Sequence, residues 1–154
     1  MRPTSRIAAL LLAAFVAAPA LAAQAKPDFS GTWVMVPEKS DLGGMPSPGG
    51  RTDVIAHQEP KLTIKRTIGD ATMNLVYAVD GQPWKNTIPQ GEVTSTLKWD
   101  GDVLVMQSAI ALQGNEVSLE DRYSLAADGK TLTQDRTINV QGQVVQQKLV
   151  FARQ

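Results

Sequence analysis

The sequence predicts an all-β protein, a single antiparallel up-and-down meander closed into a barrel of about 8–10 strands. Three observations carry that expectation. Past Pro27 the apolar residues recur with a period of two, and no stretch sustains the 3, 4, 7 spacing of an amphipathic helix. Turn dipeptides punctuate the chain at Asp80-Gly81, Asp100-Gly101, Gly114-Asn115, Asp128-Gly129 and Gln141-Gly142, and the last four leave room for strands of about nine residues. An open sheet of such strands would expose an apolar face and two long edges, so it should curl and close on itself.

The first 25 residues stand apart from that pattern. Arg2 and Arg6 precede "IAALLLAAFVAAPAL", a run too short and too rich in alanine for a membrane anchor. Two small-x-small sites follow, Ala20-Leu21-Ala22 and Ala23-Gln24-Ala25. This is the pattern of a cleaved secretory signal, so the chain is expected to be exported, periplasmic or extracellular, with no stable membrane insertion after cleavage. Taking 25 residues from 154 leaves 129, enough for one barrel domain, 26–154, with its own core.

Removing Arg2 and Arg6 leaves 13 basic residues against 15 acidic ones, a net charge of −2. That balance gives no electrostatic footprint for nucleic acid. There is no cysteine, which excludes disulfides, thiolate metal sites, cysteine nucleophiles and a lipid-modified cysteine at the cleavage point. The core and the sheet ladder must therefore hold the domain by themselves.

The alternation places strands at 31–36, 53–58, 62–68, 72–79, 92–99, 103–112, 117–125, 131–140 and 144–152, with a short tenth piece at 84–87. Two segments break the rhythm. "PEKSDLGGMPSPGGR", 37–51, reads as a long loop after the first strand, and "DGQPWKNTIPQG", 80–91, as a second irregular stretch.

Opposite residues of an antiparallel pair share a face, so each tight turn fixes a register. Centring the turn on Asp128-Gly129 sets Val117 against Val140, Leu119 against Ile138, Asp121 against Arg136, Tyr123 against Gln134 and Leu125 against Leu132. Centring on Gly114-Asn115 sets Ile110 against Leu119, Ser108 against Asp121 and Met106 against Tyr123. Gln141-Gly142 sets Ile138 against Val145, Arg136 against Gln147, Gln134 against Leu149 and Leu132 against Phe151. Across Asp100-Gly101, Leu97 meets Leu104 and Ser95 meets Met106. The apolar positions then agree over five strands, 92–152.

Within this inner face lies a polar stripe, Ser108–Asp121–Arg136–Gln147, with Tyr123 and Gln134 beside it. Arg66 repeats the departure on an earlier strand, where Leu62, Ile64 and Ile68 share its face. A charge in an apolar interior must pair, bind something or meet water. One reading is a buried ion pair, Asp121 with Arg136, whose remaining groups Ser108 and Gln147 satisfy. A second is a ligand lumen, where two inward arginines against one inward aspartate leave a formal +1 suited to an anionic head. A third is a β-bulge that turns the charges out to solvent, against which the register on both sides argues.

Other chemistry finds little support in the sequence. His57, the only histidine, could share a strand face with Glu59, but two ligands do not make a metal site, and a surface histidine near a strand end is the expectation. No nucleophile elbow accompanies it. The glycine pairs 43-44 and 49-50 do not join a strand to a helix as a phosphate loop requires. No cofactor, metal site or catalytic residue is expected. Trp84, between Pro83 and Lys85, is expected as an aromatic at the barrel mouth, or capping the core.

"DFSGTWVM", 28–35, is similar to the opening of lipocalin-like (calycin-type) barrels, where a Gly-x-Trp starts the first strand; here these are Gly31, Thr32 and Trp33. The "SGTW…KS" start and "LAADGKTLT" also resemble a group of exported bacterial small proteins of unassigned activity. The resemblance implies a barrel with a lid-bearing loop at 37–51, and a closed end where the tryptophan packs under an arginine, here Arg153. The chain departs from the pattern in ending directly after its last strand, without the helix beside a lipocalin barrel, and in lacking helical sequence between its first two strands.

The combined expectation is a non-catalytic binding protein for a small hydrophobic or amphipathic molecule, an anionic one on the lumen reading. Arg66, Asp121 and Arg136 would orient its polar end, with Ser108, Gln134 and Gln147 alongside, while Met106, Tyr123 and Leu149 contact its body. The alternatives are an envelope interaction or inhibitor module acting through loops 37–51 and 80–91, with a protein partner of unknown kind, and a barrel enzyme using Asp121 and Arg136.

Overall fold

The computed structural model describes residues 25–154. The expected secretory signal therefore lies outside the described residues, apart from Ala25. Ten strands follow in order: β1 (Gly31–Met35), β2 (Arg51–Gln58), β3 (Lys61–Ile68), β4 (Ala71–Ala78), β5 (Trp84–Ile88), β6 (Gly91–Asp100), β7 (Val103–Leu112), β8 (Asn115–Leu125), β9 (Thr131–Val140) and β10 (Gln143–Arg153). Each falls within two residues of where alternation placed it. They form one antiparallel sheet in the order β4-β3-β2-β1-β10-β9-β8-β7-β6-β5, so the first and last strands of the chain pair and the sheet curls until β4 meets β5. No described helix is long and apolar enough to cross a membrane.

Inner positions of the strands fill one end of the barrel. Phe29, Trp33, Leu62, Leu97, Leu132 and Phe151 are all fully buried there. The Gly-x-Trp signature has a physical cause at this end. Trp33 Nε1 donates to the Phe29 carbonyl at 2.8 Å, and the Arg153 guanidinium lies 4.4 Å above the indole ring. Arg153 also donates to the carbonyls of Ser30 at 2.6 Å and Gly129 at 2.8 Å. Gly31 adopts φ +138°, which favours glycine, and a Cβ there would stand 2.8 Å from Arg153 Nη1, so a larger residue would also displace that guanidinium. Phe29, His57 and Trp99 form a triangle of rings with centroids 5.9–6.0 Å apart. His57 is thus a packed residue with a side chain only 4 % exposed, not the expected surface histidine; its Nε2 sits 3.1 Å from Glu59. The aromatic ring is amphipathic enough to fill the core while one edge reaches a carboxylate.

At the other end Val93, Ile110 and Val117 form a second apolar cluster with Ile88, Leu112, Leu119, Ile138 and Val140 at its edge. Between the two clusters the polar layer is inserted.

The register reasoning holds for two turns and slips at two. The β8–β9 and β9–β10 pairs match, including Asp121 with Arg136 and Gln134 with Leu149. In β7–β8 the observed partners are Ser108–Leu119, Met106–Asp121 and Leu104–Tyr123, and in β6–β7 they are Ser95–Ser108, Leu97–Met106 and Trp99–Leu104. The turns are Gly101-Asp102 and Gln113-Gly114, each centred one residue away from the expected dipeptide. Gln113 (φ 51°) and Gly114 (φ 81°) both take the left-handed conformation that a tight hairpin needs. Moving a turn centre by one residue shifts partners by two, so every side chain keeps its face while its opposite number changes.

The loop at 37–51 is only partly a loop. After a 3₁₀ turn at Pro37–Lys39, Asp41 pairs with Lys148 on β10 through backbone bonds of 2.7 and 2.8 Å, continuing the line of β1, and Leu42 packs on the core. Residues 43–50 are exposed. The stretch at 80–91 contains β5.

Candidate functional site

The middle layer of the barrel carries five charged side chains on inner strand positions. On β2 and β3, Asp53 accepts two hydrogen bonds from Arg51, at 3.1 and 2.6 Å, and two from Arg66, both at 2.9 Å. On β8 and β9, Asp121 accepts from Arg136 Nε at 2.6 Å and Nη2 at 2.9 Å, and from Gln134 Nε2 at 2.8 Å. Three arginines against two aspartates leave one positive charge in the layer.

Burial alone would raise the pKa of Asp53, but the charges of Arg66 and Arg51 and their hydrogen bonds overcome it and hold the carboxyl well below the ordinary range. Asp121 behaves alike: desolvation is outweighed by Arg136, by the bonds from Arg136 and Gln134, and by the more distant Arg66. Burial and the like charge of Arg66 together lower Arg51. Arg66 and Arg136 are shifted upward by their aspartates despite burial. Both carboxylates therefore stay ionised and hydrogen-bonded, which suits anchoring and leaves no proton to donate.

Above this layer lies a cavity of about 250 Å³. Its polar side is made by Arg66, Tyr77, Ser95, Ser108, Asp121 and Arg136, and its apolar side by Ile68, Met73, Leu75, Ile88, Val93 and Leu119, with Met106 and Gln90 completing the lining. Below the layer the interior is packed, with a void of about 10 Å³ between Met106, Tyr123 and the closed-end residues. Arg66 and Arg136 spend Nε and Nη2 on their aspartates, and no described residue accepts from the Nη1 of either. The Tyr123 hydroxyl and Gln134 Oε1 are buried without a hydrogen-bond partner among the described residues.

Of the residues singled out in the sequence, Arg66, Met106, Ser108, Asp121 and Arg136 meet at the cavity. Ser108 does not serve Asp121 as expected; its hydroxyl is 2.7 Å from that of Ser95, because the β7 register differs by two. Gln147 is not in the layer's network either. It turns to the loop after β1, donating to the Leu42 carbonyl at 3.0 Å and approaching Met45 Sδ at 3.3 Å. Leu149 is buried opposite Gln134 in the packed core, away from the cavity. Tyr123 and Gln134 do not line the cavity: they are a buried cross-strand pair, with Tyr123 at the small void below the layer, and Trp84, 38 % exposed, opens β5 at the end away from the mouth.

Arg51, Asp53 and Tyr77 were not singled out. The signal for Asp53 was present: a turn at Glu59-Pro60 sets it opposite Arg66, and Ile55 shares its face.

This architecture is that of a lipocalin-like, calycin-type barrel with an ionic layer across its interior. No family model and no curated protein matches the sequence. Among solved structures, the chain is similar to a secretory abundant heat soluble protein from Ramazzottius varieornatus, with TM-score 0.64 and 11 % identity over 82 % of this chain and 95 % of that one. It is also similar to the REP1-NXSQ fatty acid transporter, with TM-score 0.61 and 14 % identity over 81 % and 95 %. A third is the fluorescent protein UnaG, with TM-score 0.60 and 18 % identity over 82 % and 97 %. At such identities the likeness is one of fold.

Proposed function

We propose that this chain is an exported, non-catalytic binding protein that holds a small amphipathic anion in its barrel. The observation that carries the reading is the cavity floor. Arg66 and Arg136, each with an unspent Nη1, flank a cavity whose far side is apolar, in a layer with one excess positive charge. An anionic head would sit on the floor, and the apolar body would lie toward Ile68, Leu75 and Leu119. One neighbour in fold is named a fatty acid transporter, which agrees in ligand class. Export rests on the signal pattern of residues 1–25.

The volume favours a short chain or a compact ring over a long lipid, since about 250 Å³ is below the ~300–1,000 Å³ usual for ligand pockets. The test is calorimetric titration with medium-chain acids. Arg66→Ala and Arg136→Ala should each weaken binding about tenfold or more, the worth of one charge-assisted hydrogen bond. Unchanged affinity in both variants, with the fold intact by circular dichroism, removes the proposal.

A further inference from the structure

The cavity wall is weakest between β4 and β5. Every other neighbouring pair in the barrel is joined by a backbone ladder, whereas these two strands share none. Among the described residues one side chain hydrogen-bonds across the seam. Asn86 Oδ1 accepts from the Val76 N–H at 2.8 Å, and Asn86 Nδ2 donates to the Val76 carbonyl at 3.0 Å. These are the two bonds that a facing residue's backbone would make in a paired strand. A buried carboxamide thus stands in for a whole ladder.

The two halves of the seam differ. Toward the closed end, the β4–β5 connection is fastened to β6 by Gly81 N–H donating to the Leu97 carbonyl at 2.8 Å. Toward the mouth, 71–74 and 87–90 face each other with no hydrogen bond among the described residues. Met73, Ile88 and Gln90 from those segments line the cavity directly. Parting them opens the cavity sideways while the ionic layer stays assembled on the other strands.

We infer that the mouth-side half of the β4–β5 seam is a lateral gate to the cavity, latched by Asn86 on Val76. As a ligand route this rests on the binding reading above; as an opening motion it does not. Strands with few ladder bonds are where local opening costs least, and such motion sets exchange rates without altering the bound state.

Two measurements test the gate. In wild-type amide hydrogen exchange, the Val76 N–H should exchange at least about tenfold faster than amides in the middle of the β8–β9 ladder; equal protection overturns the gate. In stopped-flow experiments with 8-anilinonaphthalene-1-sulfonate as probe, Asn86→Ala and Asn86→Asp should each raise association and dissociation rates together, severalfold, with Kd changed by less than about twofold. Gln147→Ala, which frees the loop after β1 from β10, should leave both rates alone. Rates that respond to Gln147→Ala and ignore both Asn86 variants overturn the route. A wild type that does not bind the probe overturns the binding reading and the route with it, while the exchange measurement still decides the opening. That measurement also needs no variant to fold.

Discussion

Asp53 on β2 and Arg66 on β3 stand directly opposite each other and are joined by two hydrogen bonds of 2.9 Å, while Arg51 grips the same carboxylate from two residues away. One carboxylate thus serves two buried guanidiniums and leaves one positive charge over. Asp53→Asn would leave both without a counter-charge, and breaking a buried pair from one side costs about 3–5 kcal/mol. Urea unfolding should place Asp53→Asn among the most destabilising single changes in the chain, worse than Asp121→Asn, which strands only Arg136. A loss under about 1 kcal/mol would contradict the arrangement.

Acid stability follows from the same carboxylates. Asp53 and Asp121 have folded-state pKa values below the unfolded value of about 3.9. Their contribution is fully present above roughly pH 5 and is lost as pH falls through 3.9 toward the folded-state values. Unfolding free energy should therefore drop steeply below about pH 4. The slope should flatten in the Asp53→Asn and Asp121→Asn variants, measured by urea titration at successive pH values.

The chain has two tyrosines, and both are buried at 4 % exposure beside the ionic layer. Burial, reinforced by neighbouring acidic groups, raises the pKa of Tyr77 and of Tyr123. For an acid raised in this way, stability is intact below about pH 10 and declines above it. Absorbance of tyrosinate should therefore stay absent in the native protein past pH 10 and emerge together with the loss of sheet signal. A smooth titration centred near pH 10 in folded protein would contradict the burial.

Arg153 caps the closed end by stacking on Trp33 and bonding two carbonyls. Arg153→Ala should cost about 1–3 kcal/mol, and Arg153→Lys should recover little of it, because an ammonium cannot stack flat and bond in two directions at once. Thermal unfolding of the pair of variants checks this.

The fold was legible because alternation is a property of every residue, so single errors do not spread. All ten strands and both faces of β6–β10 follow from it. Partner identity was less legible. A glycine announces that a turn needs positive φ, but not which corner it occupies, so Gly101 and Gly114 each allowed two centres. Hence the sequence pairs Ser108 with Asp121, whereas Met106 stands there in the structure. Asp53 escaped because its strand was begun at that residue, where an aspartate reads as a loop end. The arginine at 51 lay in what looked like loop. Asn86 carried no signal at all: a side chain that imitates a backbone is invisible to periodicity. The Arg153–Trp33 stack was anticipated through the resemblance at Gly31–Trp33 rather than through alternation.

The most direct test of the account compares decanoate with decanol, two chains of one length that differ in the charge of the head, by displacement of 8-anilinonaphthalene-1-sulfonate from the barrel. A cationic floor at Arg66 and Arg136 predicts that the acid binds at least about tenfold more tightly at neutral pH, and that the preference vanishes in Arg66→Ala and Arg136→Ala. Equal or tighter binding of the alcohol by the wild type would contradict it.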